Sequence, residues 1–367
     1  MQNSSSPINA RQWGQNAPKS FERSPLYHYL HECITQDQDL SALRELIPEH
    51  QPFHVLFFTV INYLLLSEQD QPHAFVAFHP YFTSTPRPVQ ESYPYFRDFC
   101  LAHIEELRRL LPTARLQTNE VTRCANFLPA FELVHQRGER RPLALIEIGT
   151  SAGFNLSWDR YAYLYHAVDG TTYTVGDVAS AVEIHCTLQS EVLPPLPETM
   201  PPVASRVGVD LMPLDCLNEQ DVRWLRACIW PEEAWRYQVL DTVLAVARQN
   251  PPHVLAGDAY DLLPDLLASI PAEYTVCLYH SYALLQNAAE VRGRIFDLLA
   301  TYSHVRDLYR VSLEWDQPNH WPTPRLELFT YQRGQMQQEW LAHCDVHGGT
   351  MQRVKRSRSW IREVDRR

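Results

Sequence analysis

From Pro25 to about Gln136, apolar residues recur three or four positions apart, the spacing of one helix face. Leu26, Leu30 and Cys33/Ile34 predict one helix, and Leu40, Leu43, Leu46 and Ile47 a second. Phe53 to Leu66, Phe96 to Leu111 and Thr118 to Val134 predict three more. Past the polar break Gln136–Pro142 the pattern changes. Leu143 to Ile148 is an apolar run interrupted only by Glu147, as in a parallel strand covered on both faces. Arg206–Asp210, His253–Asp258, Tyr274–His280 and Val305–Trp315 are further apolar runs. Helical patterns at Asp221–Ala247, Ala259–Ile270 and Leu284–Tyr302 separate them. This alternation predicts an α/β, doubly wound, mostly parallel sheet preceded by a helical cap. Arg325–Tyr331 and Gln337–Val346 alternate on either side of Gly334, which predicts an antiparallel hairpin at one sheet edge.

The same pattern sets the expected boundaries. Residues 1–20 read as a flexible arm, 21–138 as the helical cap domain and 139–348 as the α/β domain. Residues 163–203 form an insertion in which Val182, Ile184, Cys186 and Leu188 alternate like strand residues, and 349–367 read as a basic tail. The 367-residue chain is 45% hydrophobic and 20% charged, the balance of a soluble globular protein. A net charge of -11 argues against a general nucleic-acid surface. The most apolar stretch, Phe53–Leu66, is interrupted by His54 and Asn62 and is too short to span a bilayer, so no membrane association is expected. The N-terminus has no apolar core of a secretion signal. The eight cysteines contain no C-x-x-C pair and suit a reducing cytoplasm. His343 and His347 would share a strand face, but no carboxylate or thiol spacing makes a metal site persuasive, and no metal is expected.

The candidate chemistry gathers where the predicted strands end, which is where open α/β sheets bind ligands. The first strand runs into Gly149, Thr150, Ser151, Ala152 and Gly153, and a helix is expected from Phe154 to Tyr161. A strand, a small-residue turn and a helix N-terminus make an anion- or nucleotide-binding corner. The same five residues spell G-x-S-x-G, the elbow of serine hydrolases. The later strands end on Asp210, Asp258, His280 with Ser281, and Glu314. In a nucleotide reading, Asp210 accepts ribose hydroxyl hydrogens, and Asp258 accepts from an adenine amine with Ala259 near the ring. In a hydrolase reading, Ser151 is the nucleophile with Asp258 and His280, His304 or His320. Against the latter, no His-Gly-Gly-type oxyanion loop precedes the turn, and the elbow strand comes first in the sheet. Each residue also has a plainer role: the glycines permit close packing, Asp258 caps a helix, and His280 is a hydrogen-bonded structural histidine.

E-I-G-T-S-A-G (Glu147–Gly153), then G-V-D (Gly208–Asp210), then A-G-D-A (Ala256–Ala259) resembles the Rossmann-like class I S-adenosylmethionine-dependent methyltransferase fold. Together with N-E-V-T-R-C (Asn119–Cys124) and W-L-R-A-C-I-W-P-E (Trp224–Glu232), the chain resembles an uncharacterised bacterial domain-of-unknown-function family with a methyltransferase-like fold. The resemblance implies S-adenosylmethionine as cofactor, held by Glu147, Gly149, Thr150, Ser151, Gly153, Asp210, Asp258 and Ala259. It makes Asn119, Glu120, Arg123 and Asn155 candidate substrate contacts, and His280, from its place at the end of the fourth strand, is the candidate base. Ser151 departs from the pattern by replacing its central glycine. Y-H-S-Y at the end of the fourth strand replaces the amide-proline motif of base and amide methylases, which argues against adenine or glutamine methylation. The expected reaction is methyl transfer to a small-molecule substrate. The alternatives are a serine hydrolase and a non-catalytic ligand-binding member of the fold.

Overall fold

The computed structural model describes residues 23–48, 51–68, 72–315 and 323–354, and the backbone of 360–362. The expected arm at 1–20 lies outside the described residues. Ten α-helices occur among the described residues: α1 (Pro25–Gln36), α2 (Gln38–Ala42), α3 (Phe53–Leu65), α4 (Tyr93–Ala102), α5 (Ile104–Leu110), α6 (Cys124–Arg137), α7 (Glu219–Ala227), α8 (Ala234–Ala247), α9 (Ala259–Ser269) and α10 (Ala289–Tyr302). The chain forms two compact units. Of the described residues, one unit holds those up to Thr118 together with Leu217–Asp241; the other holds Asn119–Cys216 and those from Thr242 on. Thus α6 belongs to the sheet unit and α7 to the helical unit, whereas the sequence places a single divide near residue 138. None of the eight cysteines is in a disulfide. No helix among the described residues is long and apolar enough to cross a membrane.

In the helical unit, α1 starts where Ser24 accepts from the Tyr27 amide at 3.3 Å and Pro25 takes the first turn. Glu232 holds this start, accepting from Ser24 Oγ at 2.5 Å and from the Leu26 amide at 3.0 Å. Helix α3 buries Phe57, Phe58, Val60 and Ile61, each burial worth roughly 1.5–3 kcal/mol. Its Asn62 is fully buried, and Nδ2 donates to the carbonyls of Ala227 at 3.2 Å and Ile229 at 3.3 Å. Tyr27 stacks on Phe58 at 4.3 Å and meets Trp230 edge-on at 6.4 Å. The residues from 217 to 241 therefore complete this core.

The sheet unit contains β1 (Leu143–Ile148), β2 (Ala162–His166), β3 (Thr172–Gly176), β4 (Glu183–Leu188), β5 (Val203–Asp210), β6 (Val254–Ala256), β7 (Thr275–Ser281), β8 (Leu308–Glu314), β9 (Arg325–Gln332), β10 (Gln335–Cys344), β11 (Thr350–Arg353) and β12 (Trp360–Arg362). One sheet joins them in the order β3-β2-β4-β11-β10-β9-β8-β7-β1-β5-β6, with β12 on β10. The five strands β8-β7-β1-β5-β6 are all parallel. Beyond β8 the pairings β8–β9, β9–β10 and β10–β11 are antiparallel, whereas β11–β4 and β4–β2 are parallel again, so the sheet as a whole is mixed.

Three local expectations change. The β9–β10 hairpin lies inside the sheet, because β11 pairs with both β10 and β4 and carries the sheet on. Residues 350–353 of the expected tail are that connecting strand, and 360–362 pair with β10. After the turn at 149–153 the chain makes a 3-10 helix, Phe154–Arg160, broken at Ser157, where a regular helix was expected. The insertion supplies β2, β3 and β4.

Register separates the chemistry onto two faces. Glu147 lies opposite Tyr279, whose ring meets Phe127 and Phe131 of α6 at 5.3 and 5.1 Å. Ile148 lies opposite His280, and this other face packs Leu263 and Leu267 of α9 and Ile295 and Leu299 of α10. Helices thus cover both faces of the parallel strands.

Candidate functional site

From β1 the chain runs outward through β5 to β6 and then returns to β7 on the other side of β1, so the β1–β7 boundary is the switch point at which such sheets open a crevice. The turn after β1 is held by its neighbours. Gly149 and Thr150 donate to the Val209 carbonyl at 2.8 and 3.3 Å. The Ser151 amide donates to Asp210 Oδ2 at 2.8 Å, and Asp210 Oδ1 accepts from the Met212 amide at 2.9 Å. The Phe154 amide donates to Asn119 Oδ1 at 2.9 Å. The amides expected to face an anion are thus partly taken up by Asp210 and Asn119.

Gly149 and Gly153 have φ of 71° and 76°, which glycine adopts without steric cost. A Cβ on Gly149 would meet Ala283 Cβ at 2.3 Å, and one on Gly153 would meet Pro252 Cβ at 2.7 Å. Both glycines therefore serve close packing. Ser151, with φ 55°, is not a glycine, and its Oγ is buried with no hydrogen-bond partner among the described residues. Tyr282, just past β7, repeats the combination: φ is 53° and its buried hydroxyl has no hydrogen-bond partner among the described residues. A left-handed non-glycine costs on the order of 1–3 kcal/mol, so two of them at the ends of adjacent strands mark a place where the surrounding structure imposes the backbone.

Glu147 sits beneath the turn on the α6 face, 2% exposed. Its carboxyl accepts from Thr150 Oγ1 at 2.5 Å and Asn155 Nδ2 at 3.3 Å. Burial outweighs these donors and pushes the group up to about 8. Asn155 Oδ1 in turn lies 3.5 Å from the Cys124 thiol. Glu147, Thr150 and Asn155 thus form an internal network that ties the turn to its strand.

Asp258 is exposed and caps α9, accepting from the Tyr260 amide at 2.8 Å, with Ala259 as the first helical residue. His280 is 1% exposed on the opposite face from Glu147. Its Nδ1 is 3.0 Å from Glu314 Oε1 and its Nε2 2.9 Å from Arg310 Nη1. Arginine only donates, so Nε2 accepts and Nδ1–H donates to Glu314. Burial lowers the His280 pKa against the pull of Glu314. Glu314 is held low despite its own burial, by His280, the Leu285 amide and Arg310. Both nitrogens of the candidate base are therefore engaged.

Of the expected substrate residues, Asn119 and Asn155 are engaged by the turn and its strand, whereas Glu120 and Arg123 lie toward the end of β7. Glu120 pairs with His347 at 3.3 Å and accepts from Thr122 Oγ1 at 2.8 Å. Arg123 donates to the Val346 carbonyl at 3.0 Å and to Ser281 Oγ at 3.3 Å, with its guanidinium over the Tyr282 ring at 4.3 Å. This cluster reaches the end of β7 through Ser281 and Tyr282. Tyr282 is the residue that sequence reasoning missed, because positive φ leaves no mark on an aromatic residue in the sequence. A readable signal was the apolar pair after Asp210: Leu211 and Met212 are 64% and 51% exposed beside the turn.

Elsewhere in the sheet unit a cavity of about 380 Å³ is lined by residues including Pro129, Leu133, Trp340 and Met351, none of them among the candidates. No group of three or more His, Cys, Asp or Glu among the described residues is placed to hold a metal ion. No curated protein matches the chain, and no solved structure does. The family described as an uncharacterized protein conserved in bacteria (DUF2332) matches residues 11–353, and the chain belongs to that family.

Proposed function

We propose that the carboxyl edge of β5, β1 and β7 binds S-adenosylmethionine and that the protein is a methyltransferase for a small-molecule substrate, built on a class I methyltransferase-like core. The observation that carries this reading is the parallel order β6-β5-β1-β7-β8 followed by an antiparallel strand, with Asp210 closing the turn beside the switch point. Asp210 accepts from the Ser151 and Met212 amides, and an ionised carboxylate at this strand end is the group that accepts from ribose hydroxyls. Ser151 Oγ offers a further hydrogen bond, and the exposed Leu211 and Met212 offer apolar cover for a base. When bound, the cofactor supplies an electrophilic methyl group. The protein's part is alignment of the acceptor, which the proposal gives to Asn119, Glu120 and Arg123. Glu147, Thr150 and Asn155 hold the turn from below; Gly149 and Gly153 hold it close to its neighbours. Asp258 and Ala259 fix the start of α9 at the third strand end. His280 positions the end of β7 through Glu314 and Arg310, and no proton transfer is assigned to it.

Calorimetry with S-adenosylmethionine and S-adenosylhomocysteine tests the reading. Binding of both is expected, weakened at least about tenfold in Asp210→Asn, or about 1.4 kcal/mol. No heat from either at millimolar concentration sinks it.

One observation favours a second reading. Ser151 has the positive φ of a nucleophile elbow. Among the described residues no histidine partners its Oγ, and both nitrogens of His280 are engaged; His320 lies outside the described residues. Fluorophosphonate labelling that is present in the wild type and lost in Ser151→Ala would move the assignment to a serine hydrolase.

A further inference from the structure

The ribbon β3-β2-β4 carries chemistry that the cofactor reading does not use. Along β2 and β4 the residues alternate. Tyr163, Tyr165, Ile184 and Cys186 are buried, whereas Glu183 and His185 are exposed and His166 is half-buried. In parallel register Leu164 lies opposite His185, so His166, two residues on, is its diagonal neighbour on the same face. Thr172 of β3 lies directly opposite His166.

His166 Nε2 and His185 Nδ1 face each other at 2.9 Å, with the rings within 16° of parallel. Both outer nitrogens are engaged. His185 Nε2 is 2.9 Å from Glu183 Oε1, and His166 Nδ1 is 3.1 Å from Thr172 Oγ1. A carboxylate only accepts, so His185 carries its proton on Nε2 and turns the Nδ1 lone pair toward His166. A threonine hydroxyl both donates and accepts, so His166 can change tautomer without losing its outer hydrogen bond. With its proton on Nε2, His166 donates to His185. With its proton on Nδ1, two lone pairs point into one gap, which then takes a cation.

We propose that His166 and His185 form a two-imidazole site for a divalent transition-metal ion, with Cu2+ as preferred occupant. Metal–imidazole bonds of about 2.0–2.1 Å place two nitrogens about 2.9 Å apart at cis corners of a square plane, but about 3.3–3.4 Å apart at tetrahedral corners. The observed 2.9 Å suits the tetragonal ions Cu2+ and Ni2+ over Zn2+, and Cu2+ heads the affinity order. Glu183 and Thr172 act from the outer side by orienting the rings, and Glu183 makes His185 a stronger donor. On binding, the His166 proton moves from Nε2 to Nδ1, where Thr172 accepts it, so none is released. Water completes the coordination. The site is independent of the cofactor reading.

The test is titration of the full chain with Cu2+ alone, followed by calorimetry and electron paramagnetic resonance. One ion per chain with coupling to two imidazole nitrogens is expected. His166→Gln and His185→Gln should each weaken binding at least tenfold and abolish the two-nitrogen signature. Glu183→Gln should weaken it by less, and Zn2+ should bind the wild type more weakly than Cu2+. These are surface changes, and unfolding temperatures equal to the wild type in metal-free buffer show that the fold is kept. A wild-type spectrum without two imidazole nitrogens overturns the proposal whatever the variants do. So does Cu2+ binding that survives in His166→Gln/His185→Gln, or a preference for Zn2+.

Discussion

Burial on the α6 side of β1 holds the Glu147 carboxyl at about 8, whereas a free glutamate titrates near 4.5. Between those values the folded chain keeps a proton that the unfolded chain releases. The stability from this group is therefore complete below about pH 4.5 and falls by about 1.4 kcal/mol per pH unit as pH rises toward 8. Glu147→Gln should flatten that slope by the same amount, as read from urea unfolding at a series of pH values. Gly149 makes a second prediction at this scale. Gly149→Ala combines a left-handed backbone with a methyl placed on Ala283, and should cost roughly 2–4 kcal/mol in urea unfolding. Gly170→Ala is the control: φ is 86° but nothing lies within 4 Å, so only the backbone cost of about 1–2 kcal/mol remains.

At the scale of elements, Asp258 shows how one residue answers to two descriptions. As the cap of α9 it satisfies the Tyr260 amide, and Asp258→Ala should lower stability by about 1 kcal/mol in thermal unfolding. His79 governs the other end of the pH range. It is fully buried, burial lowers it to about 3, and its Nδ1 accepts from the Tyr81 amide at 3.3 Å. Unfolding lets it bind a proton below about 6.5, so its contribution is complete above that pH and is lost toward pH 3 at about 1.4 kcal/mol per unit. His79→Asn should shrink the acid limb of the stability curve accordingly. What could be read from the sequence was local. The run Leu143–Ile148 and the alternation around Gly334 carry their own strand signals, and β1, β9 and β10 form there. What could not be read was pairing at a distance. Nothing in Thr350–Arg353 says that it joins β10 to β4, because a strand's partner is chosen by the fold and not by its own four residues. The site shows the same division. The strand-end positions of Asp210 and His280 were readable, but not their partners, the Ser151 amide and the Glu314–Arg310 pair.

At the scale of the whole molecule, the helical unit is discontinuous in sequence, which makes a fragment ending at Thr118 a sharp test. Such a fragment keeps α1 to α5 but lacks the carbonyls of Ala227 and Ile229 that partner Asn62, and the Glu232 carboxylate at the start of α1. A buried amide without partners costs on the order of 1–3 kcal/mol, and the packing of Trp224 and Trp230 on this core is lost as well. The fragment should show no cooperative thermal transition by circular dichroism; a sharp transition would show that residues 217–241 are dispensable.

The same discontinuity sets a clock during synthesis. Residues up to 118 leave the ribosome well before Leu217–Asp241, the stretch that closes over them. At about 5–20 residues per second, the nascent helices wait roughly 5–20 s with the faces of Tyr27 and Asn62 uncovered. That interval is long compared with helix formation and collapse. The core of the N-terminal third thus stays open until the stretch between β5 and β6 emerges.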